Sequence, residues 1–591
     1  EIRLSLVGSE MCIRDSINAK YRSSRLKAYL YGRLVRHLSR NIKEYGRKTG
    51  KEIHFYVATH SLVNYAQWKI MSPESRLLDV DEVDGFIAQV WTGTSGTGNV
   101  YEGHYKSRTF ETAYLEYGIM QELVKGTDKE VWFLQDPVED NPEHGWEEYA
   151  DKYKKTLTAA LFWPDVDHYE VCPWPNRVFK GRYPRKVGLA EGMIPTEDME
   201  GAKNIPDTYA TFLAGMIQTL GDMTKEESET EKDAVGVFLA DSCMYQRTYP
   251  DQVEHHGQKI NLSGMEDWMN RLIFQKEEER QLLLSMEKME YAYKECCAFP
   301  DWFGLTLPLL KYGLPIQPVY FDHMVRYEEY LRKYRYLILS YEFMKPESEE
   351  FHHKLVEWVK QGGTLFYIGK DFDPYNYLQE WWQKFSCDTP AQHLFAEFGM
   401  DKEPANGCYR IGEGNVLVWN EVPALLSVNE AIADKYRNWI REGLKMGGYH
   451  WNMCNYLSVR RDPYIVIASM QESDTGSVYT KEGLFVDLYE DKYPVVERVL
   501  VEPGQEKLLF DLEKIKEDVR IIATAARIEN MACENGQLSI EAKAIDHIQV
   551  NMRIRLPGKP EDLCAHTESG KNMELQSVWD EKSRTVLLSY R

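Results

Sequence analysis

The sequence is poor in cysteine and lacks long apolar runs. Its ten cysteines are scattered apart from Cys296 and Cys297, with neither the density of a disulfide framework nor a C-x-x-C pair for zinc. No stretch approaches the roughly 18 consecutive apolar residues that cross a bilayer, and the mean hydropathy is −0.51. We therefore expect buried thiols from a reducing compartment, a cytoplasmic bacterial location and no membrane partner.

Positive charge is also scarce relative to negative charge. The 71 Lys and Arg residues stand against 93 Asp and Glu residues, which gives a net charge of −22 and a sequence pI near 5.3. Proteins bind nucleic acids through clustered cations. The net negative charge of this chain therefore excludes nucleic-acid binding as its expected function. No H-E-x-x-H, G-x-S-x-G or metal-spaced His/Cys pattern occurs, and we expect neither a metal nor a cofactor.

The first sixteen residues differ in sequence character from the residues that follow them. Residues 1–16 read EIRLSLVGSEMCIRDS, and the run VGSEMCIRDS is similar to a translated sequencing adapter at the end of a metagenomic gene model. A signal peptide is the weaker alternative because no apolar core of seven or more residues is present. We expect residues 1–16 to be a non-native segment, with the chain a fragment whose parent gene continues upstream.

Strand, loop and helix patterns alternate from residue 17 to about 230. An amphipathic helix is predicted at 22–47, and further helices at 109–124 and 146–161. Short apolar runs indicate strands at 52–58, 83–91, 130–134 and 167–172. This order is typical of parallel βα units, whose chemistry lies on loops after the strands. Four units make half a (β/α)8 barrel, which cannot close; either the sheet is open or further units lie upstream.

An acidic cluster follows the third strand. Asp136, Glu139 and Asp140 lie there, and Trp91 and Trp174 follow neighbouring strands. A carboxylate beside flat aromatic rings suits a glycosidase, in which one carboxylate meets the developing oxocarbenium ion. The alternative is a solvated loop that caps the next helix.

Other polar residues after the strands are candidates for sugar binding. His60 and Asn64 follow the first strand, where a histidine satisfied within a turn is the alternative. Glu170 lies on a mostly apolar strand with Arg177 as a candidate ion-pair partner, so a structural pair is an equally good interpretation. The segment Gly93 to Gly98 lacks the Lys-Ser/Thr of a P-loop, and we interpret it as a substrate loop.

Two further segments complete the chain. Alternating strands and helices from 231 to 460, including a strand at 364–368 after Gly362 and Gly363, predict a doubly wound α/β layer. Beyond about 461 the helices thin out, and alternating short strands predict a C-terminal antiparallel β-sandwich at 461–591.

The order of these three segments resembles the family 42 β-galactosidases and their relatives among clan A glycoside hydrolases. The middle segment, with YLILSYEFMKPESEEFHHKLVEWVKQGGTLFYIGKD, is similar to their amidotransferase-like domain but has no G-x-C-x-G nucleophile elbow. The resemblance implies the C-terminal half of a (β/α)8 TIM barrel, then an amidotransferase-like α/β domain, then a β-sandwich. It also implies a carbohydrate substrate and assembly into homo-oligomers, as trimers or dimers.

The resemblance further implies site residues and a mechanism. The four strands would be strands 5 to 8, which places the nucleophile of strand 7 at Asp136, with Glu139 as runner-up, although the family uses Glu. The acid/base after strand 4 would lie before residue 17. We therefore expect a retaining glycoside hydrolase, β-galactosidase-like in specificity, whose present chain is inactive or very weak.

Two other classes of function remain open at this point. One is a non-catalytic carbohydrate-binding or scaffold protein that keeps the architecture. The other is a nucleotide-dependent enzyme that uses TGTSGTG.

Overall fold

The computed structural model describes most of the chain. The described residues are 17–90, 92–138, 144–187, 195–223, 235–247, 252–255, 258–261, 299–371, 373–545 and 548–591. Their helices are α1 Ile17–Thr49, α2 Leu62–Trp68, α3 Thr92–Ser95, α4 Thr109–Val124, α5 Trp146–Leu161, α6 Pro175–Phe179, α7 Asp207–Gly221, α8 Ser242–Tyr245, α9 Pro300–Leu310, α10 His323–Arg326, α11 Glu350–Lys360, α12 Pro390–Glu397, α13 Pro423–Val428 and α14 Glu430–Met446. Short 3-10 helices occur at Glu74–Leu77, Tyr330–Lys333, Pro374–Tyr377, Trp381–Phe385 and Leu512–Lys514.

The strands fall into parallel and antiparallel groups. In chain order they are β1 Tyr56–Thr59, β2 Gly85–Ala88, β3 Gly98–Tyr101, β4 His104–Ser107, β5 Glu130–Gln135, β6 Tyr169–Val171, β7 Arg182–Val187, β8 Pro195–Asn204, β9 Val235–Leu239, β10 Gln252–His255, β11 Gln258–Asn261, β12 Ile316–Tyr320, β13 Tyr336–Leu339, β14 Thr364–Ile368, β15 Gly407–Ile411, β16 Gly414–Trp419, β17 Tyr456–Arg461, β18 Tyr464–Ser469, β19 Tyr479–Asp487, β20 Val495–Val501, β21 Glu506–Asp511, β22 Arg520–Thr524, β23 Arg527–Glu534, β24 Gln537–Lys543, β25 Val550–Arg555, β26 Gln576–Asp580 and β27 Thr585–Tyr590.

Chain contacts divide the described residues into two compact units. The first unit is formed within Glu1–Gln89, Thr97–Val131 and Ser228–Met453, the second within Val90–Gly96, Trp132–Glu227 and Cys454–Arg591. The division assigns parts of the predicted barrel segment 17–230 to both units. The chain passes from the first unit to the second after residue 453, close to the predicted boundary near 460. The predicted domain limits themselves stay predictions.

The four predicted βα strands occur as two parallel pairs, one in each compact unit. In the first unit β1 and β2 run parallel, with Tyr56 opposite Gly85. In the second unit β5 and β6 run parallel, with Phe133 opposite Tyr169. The parallel arrangement agrees with the prediction, and the described residues form no closed barrel.

The first unit also contains the predicted doubly wound layer. Its six-stranded sheet has the order β12-β9-β13-β14-β16-β15, with β15 antiparallel. Strand β12 pairs with one side of β9, and the next strand, β13, pairs with the other side of β9. The winding of the sheet therefore reverses at β9. Such a reversal point opens a crevice at the carboxyl ends of the strands.

The C-terminal strands of the second unit are antiparallel, as predicted. They form a five-stranded sheet of order β17-β18-β21-β19-β20 and a four-stranded sheet of order β22-β25-β27-β26. Val466 and Leu508 of the first of these sheets share one buried cluster with Leu157 of α5 and Leu213 of α7. That face of the sheet therefore packs on helices, which departs from a simple two-sheet sandwich.

The helix α1 lies in the first unit and is longer than predicted. Its buried residues are Ile17, Tyr21, Ala28, Gly32, Ser39 and Gly46, and a Cβ on Gly46 would lie 2.7 Å from the Lys51 carbonyl oxygen. Within the described residues, no helix combines the length and the apolar character that a membrane span requires.

Candidate functional site

Asp136 directly follows β5 in the second unit. Its residue is only 6% exposed, and the Val138 N–H donates to its Oδ1 at 3.1 Å. Residues after parallel strands occupy the sheet edge at which α/β folds bind ligands. The sequence-predicted nucleophile thus lies at such an edge, in a desolvated position.

Hydroxyl and thiol groups surround this carboxylate. Burial and the negative charge of Asp136 raise the pKa of Cys172 to about 12, and burial, with Asp136 among the further causes, raises the pKa of Tyr153 and of Tyr209 well above the ordinary value. The Tyr209 hydroxyl donates to the Pro137 carbonyl at 3.0 Å, whereas the Tyr153 hydroxyl has no hydrogen-bond partner among the described residues. These groups stay protonated at neutral pH.

The aromatic side chains near α5 are packed into the core. The ring centroids of Trp146 and Tyr183 lie 5.1 Å apart, and those of Tyr149 and Tyr183 lie 5.2 Å apart, both pairs edge to face. The Trp146 Nε1–H donates to the Lys203 carbonyl at 2.7 Å. These rings are buried against one another and present no open platform to a sugar.

The other sequence-predicted residues of the second unit have different surroundings. Glu170 lies on β6 opposite Leu134, and burial raises its pKa. Its predicted pairing with Arg177 stays a prediction. Trp174 is 61% exposed beside α6. Trp91, Glu139 and Asp140 lie outside the described residues.

His60 follows β1 in the first unit and is held by its neighbours. Its backbone N–H donates to the Tyr65 hydroxyl at 2.8 Å, and its Nδ1 lies 3.1 Å from the Gln89 carbonyl oxygen, so Nδ1–H is the donor. Burial lowers the pKa of His60. The ring is therefore neutral at neutral pH, with Nε2 as its acceptor.

Asn64 lies on α2, which starts directly after the strand because the Ser61 hydroxyl accepts from the Asn64 N–H at 3.0 Å. Its side chain is fully buried, and its amide has no hydrogen-bond partner among the described residues. The predicted role of Asn64 in sugar binding stays a prediction.

Glu74 is a candidate that the sequence did not indicate. Its Oε1 accepts from the Thr59 hydroxyl, from the Tyr65 hydroxyl at 2.7 Å and from the Ser72 hydroxyl at 2.5 Å. Burial raises the pKa of Glu74 despite these three donors. The stretch SPES has the composition of an ordinary turn, and no spacing rule links it to Thr59 or Tyr65.

A narrow pocket in the first unit brings these groups together. It is lined by His60, Tyr65, Glu74 and Tyr320, with Leu62 and Met244 among its apolar side chains. A carboxyl group of raised pKa next to a neutral imidazole can exchange protons or bind hydroxyl groups. Within the part of the chain that the structure describes, no group of three or more His, Cys, Asp or Glu residues is arranged to hold a metal ion.

Comparisons with known proteins give only distant similarities. No family model and no curated protein sequence matches the chain. Among solved structures, a β-galactosidase from Bacillus circulans sp. alkalophilus aligns with 78% of this chain and 63% of its own length, at 10% identity and a TM-score of 0.39. Gan42B, a GH42 β-galactosidase from G. stearothermophilus, aligns at 10% identity in two structures, one of them a catalytic mutant; the TM-scores are 0.31 and 0.32, over 73% and 74% of this chain and 64% and 65% of theirs.

The chain therefore spans less than two thirds of the length of each of these solved structures. At such TM-scores and identities, the similarities do not assign the chain to a family.

Proposed function

We propose that this chain is a glycoside hydrolase that cleaves O-glycosidic bonds, with Asp136 as the carboxylate nucleophile. The observation that carries the proposal is the position of Asp136, a buried carboxylate at the carboxyl end of a parallel strand with protonated groups around it. Desolvation leaves a carboxylate less stabilised by water, which favours its attack on a carbon that becomes positively charged.

The proposed reaction is a double displacement. A carboxylate oxygen of Asp136 bonds to the anomeric carbon while the bond from that carbon to the leaving oxygen breaks, and water later releases the sugar with retained configuration. Glu139 is the alternative nucleophile, and Glu170, Trp91, Trp174, Asp140 and Arg177 are proposed to support the sugar. The sugar-binding roles predicted for His60 and Asn64, which belong to the first unit, stay predictions. The resemblance to clan A favours a β-galactoside as substrate.

An aryl glycoside with an activated leaving group tests the nucleophile separately from the acid/base. Dinitrophenolate leaves without a proton, so attack by Asp136 needs no general acid. We expect dinitrophenyl β-galactoside to give a burst of dinitrophenolate, and added azide to accelerate turnover by attacking the glycosyl-enzyme and forming a glycosyl azide. Ordinary alkyl galactosides, whose departure needs protonation, should react weakly or not at all.

Matched variants identify the responsible carboxylate. Asp136→Asn should abolish the burst, lowering its rate by about 10³-fold or more, whereas Asp151→Asn, at an exposed acid on α5, should leave it unchanged. A burst that survives Asp136→Asn and disappears in Glu139→Gln would move the nucleophile to Glu139. Binding of galactose without any burst would favour the carbohydrate-binding alternative.

A further inference from the structure

Two buried histidines of the first unit, here named the His pair, contact each other directly. His352 lies in the first turn of α11 and His393 in the first turn of α12, and their Nδ1 atoms are 2.9 Å apart. The Nε2 atom of His352 lies 2.9 Å from the Tyr341 hydroxyl oxygen. His352 is completely buried, and His393 is 3% exposed.

These contacts determine how many protons the His pair can hold. When both rings are neutral, the Tyr341 hydroxyl donates to Nε2 of His352, and the Nδ1–H of His352 donates to Nδ1 of His393. The space between the two Nδ1 atoms holds one hydrogen. If both rings became imidazolium ions, each Nδ1 would carry a hydrogen and the two N–H groups would point at each other. The closed contact is therefore incompatible with two charged rings.

A single added proton would also lack compensation in this place. Both rings lie near the N-terminus of a helix, where the helix dipole disfavours a positive charge. Among the described residues, no carboxylate oxygen lies within ion-pair distance of His352 or His393. Burial is the largest cause of the lowered pKa of both histidines.

The more distant charges around the His pair oppose one another. Four further charged or titratable side chains influence the rings: Glu349 and His353 at α11, Glu397 at α12 and Lys402 after it. The two carboxylates favour a proton on His393, and the two basic side chains disfavour one. Glu397 also lies 3.5 Å from the exposed His353. These charges therefore do not offset the burial of the pair.

The His pair connects α11 to the segment 381–398, which contains the 3-10 helix Trp381–Phe385 and α12. Trp381 lies against both rings, with its ring centroid 5.2 Å from that of His352 and 4.8 Å from that of His393. A change at the pair therefore affects both helical parts of this segment.

Further contacts of the segment are less sensitive to acid. The Phe395 and Tyr367 rings pack edge to face with centroids 4.9 Å apart, and the Thr389 hydroxyl donates to Asp371 Oδ2 at 2.7 Å. A carboxyl group accepts such a hydrogen bond whether it is ionised or protonated. The His pair is thus the contact whose hydrogen bonding must change on acidification.

We infer that the His pair is an acid-sensitive latch, which holds the segment 381–398 on α11 at neutral pH and releases it when the medium becomes acidic. In the open form each histidine reaches water and has its ordinary pKa near 6.5, whereas the rings of the closed form stay neutral. The open form therefore binds more protons, so the latch is fully stable above about pH 6.5 and loses stability below it. Between pH 7 and pH 5 the opening constant should rise about 25-fold for each histidine that stays neutral in the closed form.

Hydrogen–deuterium exchange of the full chain at pH 7 and pH 5 tests the inference. After correction for the intrinsic effect of pH on exchange, we expect the amides of α12 to exchange about 25-fold faster or more at pH 5. The amides of α14, in the same unit, should keep their protection. This comparison needs only the wild-type chain and holds even if a variant fails to fold.

Matched variants identify the groups responsible. The double variant His352→Gln/His393→Gln has no imidazole at the latch, so its corrected rates for α12 should be nearly equal at the two pH values. His353→Gln removes an exposed imidazole from the same helix and should keep the wild-type response. Circular dichroism at pH 7 verifies the fold of each variant.

Four outcomes contradict the latch. They are equal corrected rates of α12 in the wild-type chain, a response that persists in His352→Gln/His393→Gln, a response that disappears in His353→Gln, and an equal loss of protection in α14. The last outcome would mean that acid unfolds the α/β layer as a whole and does not release one segment.

Discussion

Buried carboxyl groups of this chain differ in how their surroundings compensate the loss of water. Glu74 accepts three hydroxyl hydrogen bonds and still has a raised pKa. Glu342 accepts backbone N–H bonds from Lys370 at 2.5 Å and from Asp373 at 3.0 Å. Burial and the nearby charge of Asp371, followed by Asp301 and Asp373, nevertheless raise the pKa of Glu342 to about 8. A neutral acid is therefore the favoured form of Glu342 below that pH.

This raised pKa of Glu342 predicts a pH dependence of stability. In the unfolded chain a glutamate has a pKa near 4.3, so the folded state holds the extra proton between about pH 4.3 and pH 8. The free energy of unfolding should then fall as the pH rises through that window, by about 5 kcal/mol at most, because each pKa unit corresponds to roughly 1.4 kcal/mol. Glu342→Gln should reduce this loss, as measured by urea unfolding at several pH values, and the exposed control Glu413→Gln should keep the wild-type slope. Equal slopes for Glu342→Gln and the wild type would count against the assignment.

The candidate site residues were predicted from the sequence because they directly follow predicted strands. The position of Asp136 was predictable because this residue directly follows an apolar strand, and it does lie at the end of β5. Glu74 was not predictable, because its hydroxyl donors Thr59 and Tyr65 come from a strand and a helix, and only folding brings them to one carboxylate. The burial of Asn64 was not predictable either, since a polar residue that follows a strand is expected to be exposed.

Helices were predicted more closely than strands. The bounds of α4 and α5 agree with the predicted 109–124 and 146–161, because apolar spacing over four turns is a strong signal. The strand predicted from residue 52 begins only at Tyr56. Its ladder starts opposite Gly85, and the preceding Phe55 N–H donates instead to an Asp84 side-chain oxygen at 2.5 Å. The segment interpreted as a loop from Gly93 to Gly98 contains the end of α3 and the start of β3.

One ion pair connects two helices of the first unit. Lys311, at the end of α9, lies with its Nζ 2.5 Å from Glu111 Oε1 in the first turn of α4, and both side chains are buried. Burial alone would raise the pKa of Glu111, but Lys311 keeps it below the ordinary value.

Removing one partner of this pair should be costly. Lys311→Met leaves the Glu111 carboxylate buried without its cation, and the free energy of unfolding should drop by about 3–5 kcal/mol. Lys311→Met/Glu111→Leu should recover most of this loss, because no charge then remains buried. Lys155→Met, at the exposed pair with Asp151, should change stability by less than about 1 kcal/mol. Denaturant unfolding of the four chains measures these differences, and a double variant no better than the single one contradicts the account.

At the scale of the whole molecule, the two units alternate along the chain. The second unit takes segments before and after residues 228–453, which belong to the first. Sequence patterns predicted consecutive domains because local periodicity carries no information on which distant segments share a core. Tyr464, Phe212 and Leu161 illustrate this, since they lie far apart in sequence and share one buried cluster.

A truncated chain that ends at Met453 tests this organisation. Loss of 454–591 uncovers the apolar faces of α5 and α7. The fragment should therefore bind a hydrophobic dye, show a red-shifted fluorescence emission from Trp146 and aggregate. A soluble fragment that keeps the native near-ultraviolet signal of the second unit would instead identify 461–591 as an independent domain.

The shared cluster of α5, α7 and the C-terminal sheet also has a consequence for synthesis on the ribosome. Leu220 and Tyr464 belong to it but are separated by roughly 240 residues, which a ribosome adds in about 10–50 s. During that interval the apolar side of α7 has emerged without the strands that will cover it. A nascent chain of this kind offers a binding site to chaperones in every round of translation, and slow codons between 228 and 453 should lower its soluble yield.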